Sequence, residues 1–114
     1  MLSLGRTKLG FGRMKKVKIA LYNQYIYIDN SYESDDYKAI VEFEPIILKY
    51  NPKHWDLETL SHECVHLTNQ ICKRCLLELT DYNNDEWYAY LHAYIFNKIY
   101  RATKKDMILN LKKG

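Results

Sequence analysis

The stretch Thr59-Leu60-Ser61-His62-Glu63-Cys64-Val65-His66 sets two histidines four residues apart, with a glutamate directly after the first. On a helix, side chains four apart lie about 40° apart around the axis and one turn along it, so His62 and His66 can grip one ion. Glu63 falls about 100° round from His62, where its carboxylate reaches a water on that ion rather than the ion itself. The division of labour is two neutral imidazoles as metal ligands and one carboxylate as general base, the chemistry of the H-E-x-x-H pattern.

A zinc ion needs at least three protein ligands, and a catalytic one keeps its remaining position for water. Glu86 is the expected third ligand. It follows His66 at a distance that lets the first helix finish, a loop turn, and a second helix begin antiparallel beside it. Asp85 competes for the role, but its side chain is shorter and one position earlier. Residues on the Glu86 face of a helix are Ala89, Tyr90, Ala93 and Asn97, where two alanines would let the helices approach closely. Tyr90, one turn on, is a candidate for orienting water or an oxyanion.

These residues need a scaffold, and the patterning on either side supplies one. Val17, Ile19 and Leu21 alternate with Lys16, Lys18 and Ala20, and Ile26 and Ile28 alternate with Tyr25 and Tyr27, which predicts a strand hairpin turning at Asn23-Gln24. Asp29 to Asp36 reads as an acidic loop. Val41 and Phe43 alternate with Glu42 and Glu44 until Pro45, which cannot donate to a ladder and places this strand at a bend or an edge. Ile46 to Tyr50 reads as another short extended piece, closed at Asn51-Pro52. Asp56 is a helix N-cap by type, and the apolar spacing behind it predicts a helix from Leu57 to Leu79 that carries the histidines. Thr80 to Asp85 reads as a loop, and a second helix is expected from Glu86 to Ala102. Asp81, Asn83 and Asp85 begin like a calcium loop, but Glu86 stands where the glycine belongs and His92 where the last ligand belongs.

His62-Glu63-x-x-His66 followed by Asp85-Glu86-x-x-Ala89-Tyr90 resembles the gluzincin branch of the zincin metallopeptidases, and in particular the small zincin-like proteins encoded by bacteriophages. The likeness spans Leu57 to Tyr94. It implies an α+β minimal zincin-like domain, in which a small antiparallel or mixed sheet packs on the H-E-x-x-H helix and a glutamate-bearing helix follows. It also implies a phage or prophage origin, with the protein in the host cytoplasm.

Residues 14–114 are expected to form this one domain, with 1–13 a mobile arm and Met14 a second possible start. A chain of 114 residues, 47% of them hydrophobic, has room for one modest core. Eleven tyrosines against two tryptophans and three phenylalanines suggest a surface rich in rings that keep a hydroxyl for water or a partner. A net charge of +3, spread along the chain, does not by itself argue for nucleic acid. No apolar run reaches bilayer length, so no membrane partner is expected. Three cysteines, an odd number, point to free thiols in a reducing compartment. Cys72 and Cys75 form a C-x-x-C, but helical geometry turns Cys64, Cys72 and Cys75 from the histidine face, as buried thiols. His54 and His92 stand alone, as surface or packing histidines.

The function expected from these residues is zinc-dependent hydrolysis of a peptide bond, with His62, His66 and Glu86 on Zn2+ and Glu63 as base. The segment Ile40 to Tyr50 would offer an edge strand to a protein or peptide substrate. The alternative is a zinc-stabilised, non-catalytic binding protein that engages a host or virion partner.

Overall fold

Lys15–Ile19 (β1) and Gln24–Asp29 (β2) run antiparallel in the computed structural model, which describes residues 14–34, 36–75, 77 and 85–113. The alternation read along them is real, since Ile19, Ile26 and Ile28 are buried while Lys16, Lys18 and Tyr25 are exposed. The turn differs from the one expected. The strand stops at Ile19, Ala20–Tyr22 forms a single 3-10 turn, and Asn23 closes it at φ 53°. Asparagine tolerates this left-handed conformation better than most residues. Leu21 therefore leaves the strand and lies in solvent.

Ala39–Glu42 (β3) and Ile47–Tyr50 (β4) form a second antiparallel pair, and β4 lies parallel to β2, giving a four-stranded mixed sheet in the order β1-β2-β4-β3. Phe43 and Glu44 belong to the turn rather than to the strand, and the Glu44-Pro45 bond within it is cis. Proline thus falls where no ladder donor is required. Among the described residues β3 is an edge strand and β4 is interior, so only the first part of the Ile40 to Tyr50 segment lies at the edge.

Leu57–Arg74 (α1) begins where expected. The Asp56 carboxylate accepts a hydrogen bond of 2.8 Å from the Thr59 backbone N–H, which satisfies a donor that the first turn otherwise leaves open. Burial works to raise the Asp56 pKa, but the bonds from Thr59 and the Lys38 charge outweigh it and hold the carboxyl below its usual value. Stability from this group is therefore present above the ordinary aspartate range and is lost as pH falls through the lowered value. Asp56→Ala is expected to cost about 1 kcal/mol at neutral pH. Urea denaturation of both chains should show that difference shrinking well below a pH of about 3.9; an unchanged difference there would assign the cost to packing instead.

The helix ends at Arg74, earlier than the expected Leu79. The Cys75 N–H bonds the Ile71 carbonyl and the Leu77 N–H bonds the Cys72 carbonyl, closing the last turn, and Lys73 and Arg74 sit where the helix dipole favours positive charge. Residues 78–80 and the expected loop up to Asn84 lie outside the described residues, as do residues 1–13.

Glu86–Lys113 (α2) continues well past the expected Ala102. Its second half is held by contacts remote in sequence. Met107 is buried in the core, Asp106 accepts a hydrogen bond from the Tyr50 hydroxyl, and the Asn110 amide donates to the carbonyls of Pro52 and Trp55 at 2.8 and 3.0 Å. The core gathers the inner side of the sheet, Trp55 stacked on Tyr50, and the apolar faces of both helices: Leu60, Cys64, Leu67 and Ile71 from α1, and Leu91, Ile95 and Ile99 from α2. The domain is α+β, and no helix among the described residues is long and apolar enough to cross a membrane.

Candidate functional site

Burial sorts the residues of α1 by face. Leu60, Glu63, Cys64, Leu67, Thr68, Ile71 and Cys72 turn inward, and His62 and His66 stand on the exposed side. His62 and His66 thus stand opposite the apolar stripe that carries the fold, with Glu63 at its border. The buried Thr68 hydroxyl donates to the Cys64 carbonyl at 2.7 Å and adds no unpaired polar group to the core.

The two imidazoles face each other edge to face, ring centres 5.0 Å apart at 71°. Two imidazoles sharing one tetrahedral zinc, with Zn–N distances of about 2.0–2.1 Å, would have their ring centres about 5 Å apart. The ring separation is the one a shared ion would require. Glu63 lies at the border between the histidine face and the core, only 6% exposed. Burial raises its carboxyl pKa, and the positive charge that His62 and His66 can carry opposes the rise. A carboxylate moved towards neutrality and held beside two imidazoles suits a general base.

Glu86 is not brought to them. It is exposed in the first turn of α2, and among the described residues no group of three or more His, Cys, Asp or Glu side chains could hold a metal ion. The expected packing face of α2 is corrected for the same reason. Ala89, Tyr90, Ala93 and Asn97, the stripe that Glu86 shares, all face solvent, with Tyr90 72% exposed. Leu91, Ile95 and Ile99 repeat every four residues and bury far more apolar area than two alanines, so they set the rotation of the helix. Glu86 keeps the favourable place of an acid at a helix N-terminus. Tyr90 has no described partner near the histidines.

The cysteines are free. Cys64 is fully buried, and burial first, then the Glu63 charge, pushes its thiol up to about 12, so it is a core side chain rather than a thiolate ligand. Cys72, expected to face away, reaches the floor of a cleft that His66 also lines. His54 is exposed, and His92 is half-buried beside Phe96, with its Nε2 enclosed and unpartnered among the described residues.

That cleft, about 610 Å³, was not anticipated from the sequence. It opens between the second half of α1 and the first turns of α2, lined by His66, Asn69, Gln70, Lys73, Trp87 and Tyr88 over Cys72 and Leu77. The Tyr88 hydroxyl donates to Asn69 Oδ1 at 2.7 Å and ties the two walls together. The spacing of His66, Asn69, Gln70 and Lys73 marks one polar stripe on α1, a signal present in the sequence; the facing wall is not, because it depends on how α2 is rotated.

Compared with known proteins, the chain matches no family model, no curated protein and no solved structure.

Proposed function

We propose that this chain is a zinc-dependent peptidase-like hydrolase, a reading carried by one observation: two exposed imidazoles at the separation of a shared zinc, on the same helix as the buried Glu63 carboxylate. His62 and His66 would hold the ion. Glu86 enters as third ligand on the sequence pattern alone. Zinc held there supplies a Lewis acid that polarises a carbonyl and brings the pKa of water towards neutrality. Glu63 takes the proton of the attacking water and returns it to the departing amine. β3, the edge strand among the described residues, lies near α1, and an extended peptide could pair with it by its backbone.

A second reading, a zinc-stabilised binding protein without turnover, is favoured by the solvent-facing position of Glu86. A peptide-library digest read by mass spectrometry separates the two. Chelator-sensitive cleavage by the zinc-loaded chain is expected; intact peptides throughout would favour the binding protein.

A further inference from the structure

The cleft beside His66 has a chemistry of its own. Beyond His66, its polar wall carries the Lys73 ammonium, the Gln70 amide, which can turn its NH2 group to a ligand, and the Asn69 amide, whose Oδ1 is already engaged by Tyr88 and whose NH2 group is thereby left as the available end. Lys73 has no ion pair among the described residues. Among the described residues no carboxylate lines the cleft. The opposite wall and floor are apolar or aromatic, formed by Trp87, Tyr88, Leu77 and Cys72. A cationic donor with amides beside it on one side and rings on the other fit a ligand that is an anion joined to an apolar group.

We propose that this cleft holds the last two residues of a peptide, with the free C-terminal carboxylate on Lys73 and the amides of Asn69 and Gln70, and the terminal apolar side chain against Trp87 and Leu77. The length agrees. From His66 to Lys73 the helix rises about 10 Å at 1.5 Å per residue, and two extended residues span about 7 Å, the lysine stem covering the remainder. A volume of about 610 Å³ accommodates a dipeptide. The assignment of the scissile bond rests on the hydrolase reading, since it places that bond at His66 and the released dipeptide in the cleft. Hydrolysis there adds hydroxide to the acyl carbon, breaks C–N, and delivers the proton taken by Glu63 to the new amine. The substrate class is then peptides with an accessible C-terminus, shortened two residues at a time.

Binding can be tested without turnover. The dipeptide Ala-Phe and its C-terminal amide are titrated against the full chain, following tryptophan fluorescence. Trp55 is fully buried, so Trp87 in the cleft is the reporter. The free acid is expected to saturate the signal and to bind about tenfold more tightly than the amide, as a charge-assisted bond to an ammonium requires. Lys73→Ala should bring the acid down to the amide's affinity, and Lys73→Arg should keep the preference. Equal binding of acid and amide, no binding of either, or a preference that survives Lys73→Ala would overturn the proposal. Failure of the hydrolase reading looks different: the acid would bind with the stated preference while no peptide is cleaved.

Discussion

Glu63→Gln is expected to leave the fold and the zinc content unchanged while lowering peptide cleavage by about 10²–10⁴-fold, the usual contribution of a positioned general base. Glutamine has nearly the same shape, so the border position between core and histidine face is filled as before. It carries no charge to desolvate, and the burial that raises the Glu63 pKa disappears as a cost. What is lost is the ability to take a proton from water. Cleavage rates of wild type and variant on one fluorogenic peptide, with zinc measured in the same samples, give the result. Equal rates would trace the activity to a contaminant or to a different base, and a variant that also lost zinc would place Glu63 on the metal.

His62→Ala and His66→Ala are each expected to reduce zinc affinity by at least about a hundredfold, from a wild-type stoichiometry of one ion per chain. Even residues that merely orient a ligand are worth about 10–100-fold in affinity, so loss of a ligand should exceed that. Both side chains are exposed, so neither substitution opens a cavity, and the domain should remain folded. Metal analysis of the purified variants, with circular dichroism as the control for folding, decides it. Full zinc occupancy in both would remove the metal from this helix. Glu86→Ala belongs in the same series: weaker zinc binding would make it the third ligand despite its outward stripe, and unchanged binding would leave the histidine pair standing and move the search to another donor.

The elements that local patterning could set were legible in the residues themselves. Asp56 before an apolar repeat marked the start of α1, because a capping oxygen and a helical period are both properties of a few neighbouring residues. The same period dictated that His62 and His66 share a face while Cys64 turns to the core, and the two-residue alternation of Ile26 and Ile28 assigned β2. Asn23 and Pro45 marked turns, although the turn at Asn23 is built from the 3-10 residues before it.

Tertiary contact decided the remainder. β2 and β4 pair in parallel although the loop and β3 separate them in the chain, and nothing in either strand announces that pairing. The second half of α2 is held because Tyr50, Pro52 and Trp55 give Asp106 and Asn110 partners far away in sequence. The rotation of α2 is not set by its own sequence. Both the Glu86-Ala89-Ala93 stripe and the Leu91-Ile95-Ile99 stripe are helical in period, and only the competition for buried area against α1 and the sheet determines which faces inward. That competition turned Glu86 to solvent and built a cleft from Trp87 and Tyr88 against Asn69 and Lys73, because a helix's own sequence specifies its faces but its neighbours select the one that is buried.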